Sequence, residues 1–391
     1  MNSQEQIVPQ GRSINWIIKL SKLCNLRCGY CYEWNELGDP RRMSAELVER
    51  VVQAAEDVHH LRLKSTPTVR TTLIMHGGEP LVLPLDYLRA FLDVAHAHFG
   101  GLSHEIALQT NLFRITDSQI ELLKEYRVVV GVSYDVAPGV RLTVDGRESA
   151  DRVEENIRIV RDAGISLAAI VVIGRHTGPR LRMVYDHFAD RGMMLRVLPL
   201  ADGPPERPID SFSISLGETI AAMCDLFDYW FESGLRVPVD PFRTYVKDAI
   251  RFLLRIPAQK YNRADAGDYA FFVNVDGRIY AERDTYDIPR ALGDLNTERM
   301  AEVLRSDSYR ASLAREAALI AGKCPSCPLD ASCAGWPIVS TKSRGEFDNP
   351  CAIAPAVIQH IVMRLESWGF GGEELKRMLV EGAEARQYAE A

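Results

Sequence analysis

Long apolar runs are missing from this sequence. No stretch approaches the ~20 apolar residues that a membrane span needs. The opening segment, MNSQEQIVPQGRS, is polar and lacks the apolar stretch of a secretion signal. No block of basic residues occurs, and the net charge is -7, so nucleic acid is not an expected partner. No repeat is present beyond an alternation of strand-like and helix-like segments. These absences point to a cytoplasmic protein with neither a membrane nor a nucleic-acid partner. What remains is ordinary globular composition, 391 residues with 47% hydrophobic and 25% charged. That length suits one large core plus a smaller module, at ~150 residues per domain.

Cysteine is not scarce, and its placement is uneven. Seven of the eight cysteines fall in two groups, Cys24, Cys28, Cys31 and then Cys324, Cys327, Cys333, Cys351. Such local density in a large chain without a secretion signal reads as metal ligation or catalysis rather than a disulfide framework. The eighth, Cys224, lies in the apolar helical run TIAAMCDLFDYWF, where a thiol behaves as a small buried hydrophobe.

Periodicity gives the order of elements. INWIIKLS, VRTTLIM, EIALQTN, VVVGVSYD, SLAAIVVIG and MLRVLPL read as six buried strands, and helical patterns separate them. Ser44 is placed to cap the first helix. The alternation predicts an α/β fold with a parallel sheet and helices outside it. Six units are fewer than the eight of a closed barrel, so an open, partial (β/α)6 TIM-like barrel is expected. Ligands bind such sheets at the carboxyl ends of the strands. Beyond a Pro-rich connector come two helices, then YAFFVNVDGRIYAE, a hairpin signal with an Asp-Gly turn. The chain closes with two more helical segments.

The first cysteine group occupies KLCNLRCGYCYEW, directly after the first strand. A [4Fe-4S] cluster usually takes four thiolates, one per iron. Three thiolates leave one iron open to something other than protein. A three-thiol zinc site is the simpler alternative. With Cys-x3-Cys-x2-Cys at a strand end and the aromatic Tyr30 before Cys31, the sequence resembles the radical S-adenosylmethionine (SAM) enzymes. In that family the loop holds the cluster, and SAM chelates the open iron. SAM cleavage then yields a 5′-deoxyadenosyl radical that abstracts hydrogen from substrate. The resemblance implies further SAM contacts: Gly77, Gly78 and Glu79 of GGEP, Asn111 of QTN, Ser133 of SYD, and Arg141. Guanidinium suits the SAM carboxylate because it binds carboxylates in bidentate fashion; Arg147 competes for the role. The sequence departs from the family pattern at Leu112 and Val136, where glycine is frequent.

The second group reads CPSCPLDASC, with Cys351 following after seventeen intervening residues, in NPCAIA. Four thiolates close a zinc ion or a [4Fe-4S] cluster equally well. In context this ending resembles the SPASM extension of radical SAM enzymes that mature peptides and proteins. Full SPASM domains carry two auxiliary clusters, and these four cysteines match the ligands of one. The positions of the other set hold NRADAGDYA, YAERD and Pro337 instead, which implies a single auxiliary [4Fe-4S] cluster. The expected organisation is a tail (1–13), a radical SAM partial barrel (14–205), a helical connector (206–262), a small α+β SPASM-like domain (263–355) and C-terminal helices (356–391).

The resemblance implies an enzyme, with SAM and two clusters as cofactors. Its expected partners are a precursor peptide and a reductant such as a flavodoxin or ferredoxin. The expected reaction is an oxidative side-chain crosslink, a carbon-carbon cyclophane or similar bond, in a ribosomally made peptide. Oxidation of a Ser or Cys side chain, as in anaerobic sulfatase maturation, is the alternative within this class. A non-catalytic iron-sulfur or zinc protein is the alternative outside it. Only about 14 residues precede the first strand, too few for a separately folded leader-binding domain. Loss of two hydrogens needs a base for the proton, and Glu282, Asp284 and Asp135 are the candidates.

Overall fold

The computed structural model describes residues 13–64, 69–200, 209–258, 260, 269–281, 288–335 and 350–381. Six parallel strands form its centre: β1 (Ser13–Ser21), β3 (Arg70–Gly77), β4 (His104–Thr110), β5 (Val129–Ser133), β7 (Leu167–Ile173) and β8 (Met194–Pro199). They lie side by side in that order, every neighbouring pair parallel. All six match strands expected from the apolar runs. Two short strands escaped the sequence reading: β2 (Leu26–Cys28) and β6 (Arg141–Thr143) pair antiparallel with each other, apart from the main sheet.

Helices α1 (Ala45–Leu63), α2 (Leu85–Phe99), α3 (Asp117–Glu125), α4 (Ala150–Asp162) and α5 (Leu181–Ala189) connect the strands. Ser44 caps α1 by accepting from the Leu47 N–H. The helix then buries Leu47, Val48, Val51, Val52, Ala55 and Val58. This spacing is one helical face, and each fully buried Val or Leu contributes roughly 1.5–3 kcal/mol.

The sheet extends past the barrel on both sides. On one side β9 (Val239–Asp240) pairs with β8. On the other, the expected hairpin, β10 (Tyr269–Val273) and β11 (Arg278–Tyr280), joins the free edge of β1, and β12 (Gly293–Asp294) follows. The hairpin therefore shares the barrel's sheet and covers an edge that would otherwise present unpaired backbone groups. Helices α6 (Leu216–Glu232) and α7 (Phe242–Leu254) pack against the C-terminal helices α9 (Pro350–Ser367) and α10 (Gly372–Glu381). Trp368 stacks on Phe231 at 4.2 Å, and His360 and Arg364 both reach Asp228. A 17-residue helix, α8 (Asp307–Lys323), leads into the second cysteine group. Among the described residues no helix is long and apolar enough to cross a membrane.

Candidate active site

The three-cysteine loop begins where β1 ends, at the carboxyl edge of the sheet. The Cys24 N–H donates to the Leu37 carbonyl at 3.0 Å, and the Cys31 N–H to that of Cys28 at 3.1 Å. Pairing of β2 with β6 sets Cys28 opposite Arg141. Beneath the loop lies a buried ion network that sequence reading missed. Lys19 and Lys22 hold the two Glu33 carboxylate oxygens at 2.5 and 2.7 Å, and Lys22 also reaches Glu36 at 2.9 Å. Burial works to raise the Glu33 carboxyl, but the two lysines outweigh it and hold it far below the usual range. The signal was present as two lysines in an otherwise apolar strand end, IIKLSK.

The neighbouring strand ends close around this loop. A Cβ on Gly77 would lie 2.0 Å from the Ser21 carbonyl oxygen, and one on Gly78 would lie 2.2 Å from that of Lys22. What lies against these two glycines is the backbone at the end of β1, which leaves no room for a side chain there. Glu79 was expected to meet SAM, but its carboxylate is turned inward. It accepts from Thr110 Oγ1 (2.7 Å), the Asn111 N–H (2.7 Å) and the Leu81 N–H (2.9 Å). It braces β3 against β4, and burial pushes its carboxyl up to about 7. Asn111 points the other way, with Nδ2 2.9 Å from Asn25 Oδ1 and 3.7 Å from the Cys24 sulfur. Ser133 Oγ accepts from Gln109 Nε2 at 2.7 Å. Leu112 and Val136 adopt φ of 51° and 52°. These loops thus keep the left-handed backbone that suits glycine, at roughly 1–2 kcal/mol of strain each.

Arg141 lies at the centre of the site. Its Nε donates to Asp135 Oδ2 at 2.9 Å, Nη2 donates to the Tyr30 hydroxyl, and Nη1 is 3.7 Å from the Cys28 sulfur. Tyr30 in turn donates to Asp135 Oδ2, while Asp135 Oδ1 accepts from the Val172 N–H at 2.9 Å. Burial alone would raise the Asp135 carboxyl, but the Arg141 guanidinium, helped by the Tyr30 hydroxyl, holds it well below the usual range. A carboxylate 1% exposed and paired on both oxygens suits the anchoring of Arg141 better than the removal of a substrate proton. Arg147 is 78% exposed and paired with Asp145, so geometry separates it from the loop. Glu282 and Asp284 lie outside the described residues, as does Pro337.

The donor set was tested against the groups it could hold. Burial pushes the Cys24 and Cys31 thiols up to about 12, so thiolates there need a bound positive group. A single zinc would draw its thiolates to about 3.8 Å from one another, given Zn–S of ~2.3 Å and tetrahedral geometry. Among the described residues, no three His, Cys, Asp or Glu side chains are grouped so as to hold one metal ion. A cubane offers each thiolate a different iron, so it does not require the three sulfurs to converge on one ion. The second group converges: Cys324, Cys327, Cys333 and Cys351 line one pocket of about 40 Å³. Lys260 closes its rim, ion-paired with Asp330 at 2.7 Å and donating to the Cys333 carbonyl at 3.1 Å.

Comparison with known proteins agrees with this geometry. The sequence matches the Radical SAM superfamily over residues 18–187 and the iron-sulfur cluster-binding SPASM domain over 265–328. A cysteine-type anaerobic sulfatase-maturating enzyme of Clostridium novyi (strain NT) is 25% identical over 285 residues, covering 69% of this chain and 73% of that protein. Native anSMEcpe with bound AdoMet and Cp18Cys peptide superposes with a TM-score of 0.68 at 20% identity, over 91% of this chain and 98% of that one. Streptococcus suis SuiB bound to S-adenosylmethionine superposes with a TM-score of 0.59 at 16% identity, over 83% and 72%. The chain is a radical SAM enzyme with an iron-sulfur SPASM domain, and its cofactors are SAM and [4Fe-4S] clusters.

Proposed function

We propose that this enzyme modifies a peptide, removing two hydrogens and joining a side-chain carbon to a neighbouring group, as in a carbon-carbon cyclophane. The observation that carries the reading is the presence, in one molecule, of a three-thiol loop at the barrel mouth and a separate four-thiol pocket. When bound, the three-cysteine cluster and SAM supply the radical that abstracts a hydrogen atom. In this reading Cys24, Cys28 and Cys31 hold that cluster, and Cys324, Cys327, Cys333 and Cys351 hold one auxiliary cluster. Arg141, fixed by Asp135 and Tyr30, receives the SAM carboxylate. Asn111 and Ser133 offer further polar contacts, and the Gly77–Gly78–Glu79 turn shapes the floor between β1 and β4. Glu282 and Asp284 remain the proposed bases. A peptide substrate is supported by the relatives: anSMEcpe carries a bound peptide, and SuiB is also described bound to the precursor peptide SuiA. A flavodoxin or ferredoxin is the proposed reductant.

A second reading, oxidation of a Ser or Cys side chain, is favoured by the 98% coverage of anSMEcpe. The missing second set of auxiliary ligands favours the first. The test is to incubate reduced enzyme with the precursor peptide encoded nearest its gene and follow the product by tandem mass spectrometry. Loss of two hydrogens with a crosslinked fragment pattern is expected. Unchanged mass with solvent deuterium at an α-carbon would show epimerisation and overturn the crosslink. Turnover only of a sulfatase-derived peptide, to an aldehyde, would establish the second reading.

A further inference from the structure

His176 belongs to none of the motifs above. It sits in the tight turn after β7, where the Gly178 N–H closes onto the Gly174 carbonyl at 2.7 Å. Its ring stacks on Tyr30, with centroids 5.2 Å apart and planes 20° apart, and meets Phe212 edge-on at 5.7 Å. The side chain is only 8% exposed. Neither ring nitrogen has a hydrogen-bond partner among the described residues, and an unpaired buried polar group costs roughly 1–3 kcal/mol. Nε2 lies 3.8 Å from Asp135 Oδ2, just beyond hydrogen-bond reach.

The charges around this ring come from four segments. Asp135, after β5, is the anion. Arg141, on β6, is its cation. Tyr30, on the cysteine loop, is held neutral because burial drives its hydroxyl well above the ordinary range; Cys28 on the same loop faces Arg141. Arg175, next to His176, is turned away to the Ser213 carbonyl at 3.2 Å, and Asp210, on the segment carrying Phe212, is exposed. Apart from the cluster's thiolates, one buried anion, Asp135, and one buried cation, Arg141, therefore face this ring before SAM arrives.

We propose that His176 is a reserve cation of the SAM site, a positioning residue that takes a proton when a second carboxylate reaches Arg141. The proposal rests on the reading that Arg141 receives the SAM carboxylate. Asp135 already occupies the Nε edge of the guanidinium. A second carboxylate leaves two anions sharing one buried cation, an imbalance that a low-dielectric site penalises heavily. Imidazole can take a proton near neutral pH. An imidazolium at position 176 closes the 3.8 Å gap to Asp135, satisfies an orphaned nitrogen, and frees Arg141 for the incoming group. The proton comes from solvent or from the ligand's ammonium, and only an N–H bond is formed.

The test is anaerobic calorimetric titration of SAM into reconstituted holoenzyme, in two buffers of different protonation enthalpy, which counts protons exchanged. Wild type is compared with His176→Gln, which keeps a polar side chain but cannot take the charge; His176→Asn serves if the first variant fails to hold iron. The expected result is a difference of close to one proton per SAM between wild type and variant. Affinity in the variant should be about tenfold weaker near pH 7.5. Equal proton counts, with Arg141→Ala still weakening SAM, would overturn this proposal alone. Unchanged SAM affinity in Arg141→Ala would overturn the Arg141 reading and this proposal with it.

Discussion

Arg141 and Arg147 carry the same charge but meet different dielectric surroundings. Arg141 is held among Asp135, Tyr30 and Cys28, whereas Arg147 is out in solvent beside Asp145. A charge-assisted hydrogen bond in a desolvated site is worth roughly 1.5–3 kcal/mol, whereas an exposed pair is worth about 0–1. Arg141→Ala should therefore weaken SAM binding about 10- to 100-fold, and Arg147→Ala should leave it unchanged; equilibrium binding to the reconstituted enzyme checks both. Leu112 poses a different balance. Its left-handed backbone costs roughly 1–2 kcal/mol, yet its side chain is fully buried, which returns roughly 1.5–3 kcal/mol. Glycine would also add chain entropy to the unfolded state, at roughly 0.5–1 kcal/mol. Leu112→Gly should thus destabilise by about 1 kcal/mol in urea unfolding, despite relieving the strain. Val136 has the same φ but is only half-buried, so Val136→Gly should come out near neutral.

Between neighbouring strand ends, two buried carboxylates act as braces, and they answer pH in opposite ways. Glu33, clamped by Lys19 and Lys22, has its carboxyl depressed, so its contribution is present above ~4.3 and is lost as pH falls through the folded value. Glu79 is raised to about 7. Its native state prefers the protonated carboxyl, so that contribution is full below ~4.3 and is lost as pH rises through about 7. The stability of wild type relative to Glu79→Gln should therefore fall between pH 5 and pH 8, by about 3 kcal/mol at most; urea titrations of both proteins across that window measure it. The Glu33 brace left a trace in the sequence, two lysines in an apolar strand end, and the Glu79 brace left none. Apolar periodicity located all six barrel strands, because a two-faced buried strand must be apolar, and Ser44 marked the start of α1. The cysteine spacing marked both thiol sets. What the sequence hid depends on contacts between distant segments: the Glu79 bonds to Thr110 and Asn111, the pairing of Cys28 with Arg141, and the stacking of His176 on Tyr30. The glycine pair was legible as a close approach, but the backbone at the end of β1 that lies against it was not, because that contact too joins distant segments.

Both thiol sets hang from one continuous sheet. The loop of Cys24, Cys28 and Cys31 leaves the carboxyl end of β1, and the hairpin leading toward the second set pairs with the free edge of the same strand. The four-cysteine pocket draws Cys351 from α9, which packs on α6 and α7. The two sets therefore have different supports. Replacing Cys24, Cys28 and Cys31 removes donors from the barrel-mouth loop and leaves intact the segments that carry the other four. Anaerobically reconstituted wild type should bind about eight irons, four per cubane. The triple Ala variant should keep about half the iron and lose SAM cleavage to 5′-deoxyadenosine and methionine. Replacing Cys324 and Cys327 should instead remove the other half of the iron while SAM cleavage persists, because the barrel-mouth loop keeps its three donors. Iron and zinc assays with electron paramagnetic resonance of each reduced variant separate the outcomes. Stoichiometric zinc with no residual iron in the triple variant would make the SPASM pocket a zinc site, which cannot take up a substrate electron.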